Sequence, residues 1–302
     1  MIVLKDSNVE LKISRGYLNE DFEYFHLKDK KNMEFEFHYH DFNKIVIFIS
    51  GNVTYLIEGK AYKLKPWDIL FVNSNDVHKA IISPYETYER IIIWVNSRFL
   101  EMHNRDDNNL LSCFELSSKH NISLMRLNPN NIGSVKHTLV LLEDASKDTT
   151  FGSKILKNSL FLQLMIYLNR FFLGQNVNAR EEDIEFDERI ENILGYINEN
   201  LNGDLSIENI SSKFYISKYY LMHKFKTQTG YTIHSYIQQK RMILAKSLIK
   251  KGKQMSDIAI GCGFGDYSSF VRAFKKTFGL SPKNYSKVIL ELDNSYNSNR
   301  HS

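Results

Sequence analysis

The first third of the chain, from about Leu11 to Val95, alternates short apolar runs with turn residues. Apolar runs occupy 44–49 (KIVIFI), 53–57, 61–64, 69–72 and 91–95. The turn signals between them are Gly51-Asn52, Glu58-Gly59-Lys60 and Pro66-Trp67-Asp68. Short strands at regular spacing, separated by turn residues, are typical of a barrel or a sandwich. We therefore predict a β-barrel over residues 1–100.

Helical spacing replaces the strand pattern after Asn96. One helix is predicted from Asn128 to about Ala145 and another from Ser153 to Leu173. The second has apolar residues on more than one face, and polar side chains interrupt it, so no membrane span is expected. One face can pack on the barrel and another on a partner subunit; burial within one monomer is the alternative. Residues 101–173 are therefore predicted to be a helical dimerisation region, with a polar linker at 174–186.

The segment 256–285 has the pattern of a helix-turn-helix. Ser256 is placed to cap a short helix, and Gly263 allows the backbone to turn sharply. Asp266 is placed to cap a second helix, which Gly279 ends. The order of short helix, glycine turn and longer helix predicts a DNA-reading unit.

A second copy of this unit lies upstream. The motif F-K-x-x-x-G occurs at 225–230 and again at 274–279, and a capping residue, Ser217 or Asp266, stands eight positions before each phenylalanine. A tyrosine follows each glycine after six residues. Several shared positions in one register indicate a repeat. Two such helices can enter adjacent major grooves on one face of DNA, roughly 34 Å apart.

Outward positions of the two second helices are predicted to contact DNA. They are Ser217, Lys218, Tyr219, Met222, His223, Lys226, Tyr267, Ser268, Val271, Arg272, Lys275 and Lys276. Cations suit phosphates, whereas short, aromatic and apolar groups suit base edges and thymine methyl groups. Arg272 can grip guanine through two bonds, with a phosphate clamp or an internal salt bridge as alternatives. The apolar Met222 and Val271 favour an A·T-rich site, and a plain basic surface is the alternative for either helix alone.

The charge of the chain supports the same division. From Asp187 to the C terminus there are 17 Lys and Arg against 10 Asp and Glu, or +7, so the rest carries −3 of the total of +4. A basic C-terminal half suits phosphate binding. The two cysteines, Cys113 and Cys262, show neither a disulfide framework nor zinc spacing. We expect a cytoplasmic protein with no membrane segment.

The C-terminal region resembles the DNA-binding domain of the AraC/XylS family of transcription regulators. The matching residues are A-I-x-C-G-F-x-D-x-S-x-F-x-R-x-F-K-K-x-F-G-x-S-P-x-x-Y, from Ala259 to Tyr285, and Ser286 departs from the arginine that the family often has. The resemblance implies a DNA-binding domain at 187–290 with a tail at 291–302. It also implies a homodimer, an activator that works with RNA polymerase, and an N-terminal cupin-type sensor barrel joined to an all-α domain with two helix-turn-helix motifs.

Three histidines mark the candidate sensor site. His38 and His40 are predicted to share one face of a strand, and His78 follows a turn. The cupin metal motif H-x-H-x3-E expects glutamate where this chain has Lys44, and a cation there opposes metal binding. Structural histidines, ligand contacts and a metal site remain three open interpretations. The candidate ligand contacts are His38, His40, Lys44, Tyr55, Trp67 and His78.

A polar lining of this kind favours a sugar or a carboxylated metabolite as effector, and we predict no cofactor. The leading hypothesis is a ligand-responsive, sequence-specific DNA-binding regulator, not an enzyme. The alternative is a metal-dependent cupin enzyme with an appended basic domain, and Lys44 counts against it.

Overall fold

The computed structural model describes residues 18, 20–29, 37–83, 86–174 and 184–288. Contacts divide the chain into two compact units, with the boundary between Glu185 and Phe186. The predictions for residues 11–17, for most of the linker and for the tail at 291–302 lie outside the described residues.

Antiparallel strands in two sheets form the first unit. They are β1 (Phe22–Asp29), β2 (Asn43–Ser50), β3 (Val53–Ile57), β4 (Lys60–Lys63), β5 (Asp68–Val72), β6 (His78–Ile82), β7 (Tyr88–Val95), β8 (Leu124–Arg126) and β9 (Ile184–Glu185). One sheet has the order β1-β7-β2-β5-β8 and the other the order β6-β3-β4-β9. This arrangement, followed by a helical unit, confirms the predicted fold class.

Alternation along β2 separates two hydrophobic cores. Val46 and Phe48 pack with residues of both sheets, so they face the barrel interior. Ile45 and Ile47 point the other way and pack with buried residues of the helices that follow the barrel. Since side chains alternate along a strand, Lys44 shares the interior face with Val46.

Helices cover the outer face of the larger sheet. They are α1 (Ser97–His103), α2 (Ser112–His120), α3 (Pro129–Lys147) and α4 (Ser153–Gly174). The two helices predicted from apolar spacing are confirmed as α3 and α4, and Pro129 opens α3 where its missing N–H is harmless. The helix α4 buries Phe161, Leu164 and Leu168 in the core.

The region predicted to be helical also contains a strand, β8. Asp68, which follows the Pro66-Trp67 turn, is 1% exposed and accepts two bonds from Arg126, at 2.9 and 2.8 Å. The Tyr62 hydroxyl accepts a bond from the Ser123 backbone N–H at 3.2 Å. These long-range contacts hold the three-residue strand against β5, and local spacing does not reveal them.

The second unit consists of helices. They are α5 (Glu188–Glu199), α6 (Ile207–Lys213), α7 (Lys218–Thr229), α8 (Ile233–Lys250), α9 (Met255–Gly261) and α10 (Tyr267–Phe278), and a further helical stretch runs from Pro282 to Val288. The predicted caps Ser217 and Asp266 are confirmed by side-chain bonds to backbone N–H groups, and Ser206 and Thr232 cap their helices in the same way. Gly230 and Gly279 end α7 and α10 in the left-handed conformation.

The predicted cap at Ser256 is wrong. The helix α9 begins two residues earlier than expected, with Gln254 at the N-cap and no side-chain bond to a backbone N–H. The Ser256 hydroxyl instead lies 3.3 Å from Asp257 Oδ1, within the first turn. A serine close to a helix start therefore serves as a cap only when the backbone enters the helix directly after it.

Gly263 lies where a side chain has no space. Its φ is +74°, and an added Cβ would lie 2.5 Å from the Leu201 carbonyl oxygen and 2.7 Å from Arg241 Nη2. Arg241, on α8, donates to the carbonyl oxygens of Leu201 and Gly203 at 2.8 and 2.9 Å. The turn between α9 and α10 thus packs directly on the loop that follows α5.

No described helix is long and apolar enough to pass through a membrane.

Candidate nucleic-acid interface and effector site

The two helix-turn-helix units present their second helices in the same way. Leu221 and Phe225 bury one side of α7, and Phe270 and Phe274 bury one side of α10. Each second helix is preceded by a left-handed residue in the turn, Tyr215 in the first unit and Gly263 in the second. Burial of one side leaves the opposite side of each helix available.

The two copies of the repeat differ by one residue in the turn between their two helices. Ile216 N bonds to Ser211 O and Phe264 N bonds to Ala259 O, a spacing of 48 residues between the two bonds. The caps Ser217 and Asp266 are 49 residues apart. The second turn is therefore one residue longer, and this extra residue is Gly265.

The side chains predicted to contact DNA lie on the free sides of α7 and α10. All of those predicted residues are exposed except Val271, which is half-buried. Tyr219 is 77% exposed, and its ring stacks with that of His223 at 6.0 Å between centroids. The Ser217 hydroxyl accepts from Tyr220 N, which makes it a helix cap that can lie at a DNA backbone.

Two of the candidate cations have partners inside the unit. Lys218 pairs with Glu208 of the preceding helix. Arg272 Nη2 donates to Ser269 Oγ at 3.1 Å, and Ser269 Oγ donates to the cap Asp266 at 2.7 Å. The hydrogen bonds from Ser269 hold the pKa of Asp266 below its usual value. The Arg272 guanidinium is therefore oriented through the carboxylate that caps its own helix.

Tyr215 is a residue that the sequence analysis missed. It is 95% exposed and adopts a φ of +54°, which is uncommon for a residue with a side chain. The available signal was the repeat, since Tyr215 takes the turn position of Gly263. Its ring stands at the turn that leads into α7.

In the first unit, three of the predicted sensor residues lie close together. The ring centroids of His38 and His78 are 4.2 Å apart, and those of His40 and His78 are 4.8 Å apart. Residues 38–40 do not form a regular strand, and His38 joins His78 through an isolated bridge. The histidines nevertheless meet, because that bridge brings the segment to β6.

Lys44 and Tyr55 belong to the same group. Lys44 Nζ lies 2.7 Å from His78 Nε2 and 5.7 Å from the centre of the Tyr55 ring. The Tyr55 and His78 rings are nearly parallel, with centroids 6.1 Å apart. Trp67 does not join this group, since it packs against the core on the helix side, with Lys136 Nζ 5.8 Å from its ring.

Backbone carbonyls fix the proton positions on two of the imidazoles. His78 Nδ1 donates to Asp76 O at 2.9 Å, so its Nε2 accepts from Lys44. His40 Nδ1 donates to Phe42 O at 2.6 Å, and its Nε2 is then a buried acceptor with no partner among the described residues. Both rings are neutral, since burial and the Lys44 charge lower the pKa of each well below its usual value.

Burial also changes the Lys44 ammonium. Loss of hydration, with a contribution from the Arg90 charge, lowers the pKa of Lys44 to about 7. Arg90, 3% exposed, is paired with Asp29 and lies over the Tyr88 ring at 4.2 Å. The barrel interior therefore contains a paired guanidinium and, near it, an amine that titrates close to neutral pH.

The histidine group does not fit a metal ion. Lys44 Nζ already occupies the lone pair of His78 Nε2, which a metal would need. Within the described ranges, no group of three or more His, Cys, Asp or Glu side chains has an arrangement that could hold one. The Lys44 amine, in place of a metal ion, brings the positive charge to this group. The arrangement therefore suits the binding of a ligand more than metal chemistry.

Comparison with known proteins matches both units. The model of the AraC-like ligand binding domain matches residues 23–165, and that of a helix-turn-helix domain matches residues 210–287. The HTH-type transcriptional activator RhaR of Mannheimia succiniciproducens is 26% identical over 268 residues, covering 83% of this chain and 87% of that protein. The HTH-type transcriptional activator RhaS of Enterobacter sp. is 25% identical over 247 residues, covering 82% and 85%. A crystal structure of apo ToxT from Vibrio cholerae is 16% identical, covers 89% of this chain and 97% of that chain, and gives a TM-score of 0.39.

Proposed function

Because the chain belongs to the AraC/XylS family of transcription regulators, we propose that it binds specific double-stranded DNA and activates transcription in response to a small polar effector. The observation that carries this proposal is the repeated, capped helix-turn-helix with exposed cations on both second helices. The related proteins RhaR and RhaS are named as transcriptional activators, which supports activation over repression. An activator of this kind works together with RNA polymerase in the cytoplasm.

The DNA contacts divide between the two second helices. Lys226, Lys275 and Lys276 are placed for phosphates, which supply affinity without sequence information. The exposed Tyr219, Met222 and Tyr267 are placed for base edges. We expect Arg272 to keep its hydrogen bond to Ser269 when it contacts a phosphate, and to break that bond when it contacts guanine.

A homodimer would present four reading helices to DNA. Ile155, Leu162, Ile166 and Leu173 stand at intervals of 7, 4 and 7 residues, so they form one stripe along α4. Ile155, Ile166 and Leu173 of the stripe are exposed, whereas Leu162 is half-buried and also packs against the core that contains Phe161, Leu164 and Leu168. Ile155 is 74% exposed and Leu173 is 59% exposed, and a second copy of this helix is the surface that suits them.

The barrel interior at Lys44, His40 and His78 is the proposed effector site. A sugar or another polar metabolite suits its buried polar groups. Effector binding can shift the protein between states only through its differential affinity for them. The enzyme alternative lacks support, since relatives along four-fifths of this chain are named as regulators and the histidines do not fit a metal.

The test of the proposal is genome-wide footprinting of the protein in its own host, with and without candidate metabolites. We expect a small number of bound promoters, each with two half-sites, and occupancy that one metabolite changes. Binding that is absent at low salt, or uniform along the genome, would contradict a sequence-specific regulator.

A further inference from the structure

The interior end of the barrel buries a cation without an anion. Lys44 is 5% exposed, and among the described residues no carboxylate forms an ion pair with it. Its nearest polar neighbour is the neutral His78 ring at 2.7 Å. The other interior cation, Arg90, already has Asp29 as its partner. An ammonium group removed from water in this way is unfavourable unless an anion joins it.

The same place holds an acceptor without a donor. His40 is 9% exposed, and its Nδ1 proton is used by the Phe42 carbonyl oxygen. The remaining Nε2 lone pair has no hydrogen-bond partner in the described part of the chain. The His40 and His78 ring centroids are 4.8 Å apart, so this acceptor belongs to the Lys44 group. A buried acceptor of this kind is satisfied by an O–H donor.

We propose that the effector is a small hydroxy acid, whose carboxylate is bound by Lys44 and whose hydroxyl group donates to His40 Nε2. This inference rests on the proposed effector-responsive regulator and narrows its ligand class. A neutral polyol would satisfy His40 but would leave the Lys44 charge alone. An alkyl carboxylate would pair with Lys44 but would leave the His40 acceptor empty. Each incomplete match leaves one buried polar group unpaired, which is the strongest source of discrimination between ligands of similar size.

The first experiment is calorimetric titration of the full-length protein with matched sets of probes. Each set contains a hydroxy acid, the polyol of the same length and the alkyl acid of the same length, for example gluconate, glucitol and hexanoate. The series covers hydroxy acids of three to seven carbons, including lactate, glycerate and galacturonate. We expect one hydroxy acid to bind at least ten-fold more tightly than both of its matched partners. A polyol or an alkyl acid as the tightest ligand, or no hydroxy acid binding at 10 mM, overturns the inference.

The second experiment uses variants at the two contacting groups. Lys44→Met removes the charge at similar volume and should weaken binding of the preferred acid by about 10- to 100-fold, since bonds to charged groups are lost. His40→Phe should remove the preference for the hydroxyl group while acid binding persists. The matched control is Lys63→Met, an exposed lysine on β4 of the same unit, which should leave affinity unchanged. Unchanged affinity in Lys44→Met overturns the inference, and Lys44→Gln takes its place if the methionine variant does not fold.

A DNA-binding measurement distinguishes failure of the hydroxy-acid inference from failure of the regulator proposal. Fluorescence anisotropy on the footprinted promoter should show that Lys44→Met still binds DNA without effector but no longer responds to the acid. If the unaltered protein binds promoter DNA and responds only to a neutral sugar, the hydroxy-acid inference fails and the regulator proposal stands. If it binds no promoter DNA, the regulator proposal fails whatever the probes show.

Discussion

Lys44 illustrates how one substitution changes the chemistry of a site. The cupin metal motif would place a carboxylate here, where it would hold a cation beside two histidines. Lys44 instead provides the positive charge itself and bonds to His78 Nε2 at 2.7 Å. Backbone carbonyls hold the His40 and His78 rings in place, and on our proposal this group binds an anion where the motif would bind a cation.

The lowered pKa of Lys44 predicts how stability depends on pH. The pKa falls from 10.5 to about 7 on folding, so between those values the unfolded chain binds more protons than the folded chain. Stability therefore rises with pH across this window, by at most about 1.4 kcal/mol per pH unit. Thermal melts of the ligand-free protein and of Lys44→Met at pH 7, 8 and 9 test this prediction.

We expect Lys44→Met to be the more stable protein at pH 7 and the difference to shrink by up to about 2 kcal/mol at pH 9. Burial and the Lys44 charge hold the pKa of His78 well below its usual value, so His78 does not titrate in this range. Burial raises the pKa of the interior Tyr88 to about 12, which confines its contribution to more alkaline solutions. A constant difference between the two proteins across the three pH values would contradict the lowered pKa.

Gly263 offers a second prediction at a single position. Gly263→Ala brings a Cβ to 2.5 Å from the Leu201 carbonyl oxygen, in a conformation with φ of +74°. A left-handed alanine costs about 1–2 kcal/mol, and displacing the backbone contact adds to it. We expect the variant to lose about 2–4 kcal/mol of stability. The loss should appear in urea titrations that follow helix circular dichroism.

The matched control for that variant is Gly265→Ala. Gly265 lies two residues further along the same turn, without a positive φ, and an added Cβ there has nothing within 4 Å. Its stability should stay within about 1 kcal/mol of the unaltered protein. Equal effects of the two substitutions would show that the contact with Leu201 does not decide the requirement for glycine.

The roles of some residues could be predicted from the sequence because they depend on local chemistry, whereas the roles of others depend on distant partners. Asp266 and Gly279 were recognisable, since a capping carboxylate and a left-handed glycine act on their own helix. The pairing of Lys44 with His78 depends on strand register across 34 residues, which no local pattern contains. Trp67 could be identified as a turn residue, but its position on the helix side of the sheet depends on packing with Lys136.

At the level of elements, the repeated units show how a sequence period becomes a pair of similar surfaces. The helices α7 and α10 bury two apolar residues each and expose cations near their C-terminal ends. The extra Gly265 lengthens only the turn that precedes α10. Two units with different turns and different exposed residues are suited to two different half-sites.

The C-terminal lysines of α10 predict a change in salt dependence. Lys275 and Lys276 are exposed and lie in the last turn of the helix. If both contact phosphates, replacing both with alanine should reduce the slope of log affinity against log salt by about 2. Anisotropy titrations of promoter DNA at roughly 50 to 300 mM potassium chloride give this slope over about a six-fold range of salt concentration.

The control for these lysines is the pair Lys250 and Lys251, which are exposed at the end of α8. Their replacement by alanine removes the same charge from the protein and should leave the slope within about 0.5 of its original value. A similar slope change in both double variants would mean that overall charge, and not contact by α10, sets the salt dependence.

Elements with strong local periodicity were predicted, and elements held by distant partners were not. The helices α3 and α4 matched their apolar spacing to within a few residues. Among the strands that no apolar run predicted are β1 and β8, since β1 exposes His26 and Lys28 and β8 has only three residues. Both are held by pairing with β7 and β5, and that pairing exists only once the sheet has formed.

For the whole molecule, the decisive question is how many reading helices one assembly brings to DNA. Ile155, Ile166 and Leu173 of the stripe on α4 are exposed, whereas Leu162 also packs against the core of its own unit. Polar substitutions at the three exposed positions would not disturb that core, so they test association without testing folding. A dimer would double the DNA contacts and make affinity depend on the spacing of two binding sites.

The double variant Ile166→Glu with Leu173→Glu should convert the proposed homodimer into a monomer. Ile166 is 40% exposed and Leu173 is 59% exposed, so two buried carboxylates would face each other across a two-fold interface. Light scattering should give twice the mass of one 35.4 kDa chain for the unaltered protein and the mass of one chain for the variant. The control is Leu156→Glu, on α4 but about 100° away from the stripe, which should remain dimeric. A concentration-independent monomer in the unaltered protein would refute the homodimer. The double variant should lose tight binding to paired sites while keeping its affinity for a single half-site.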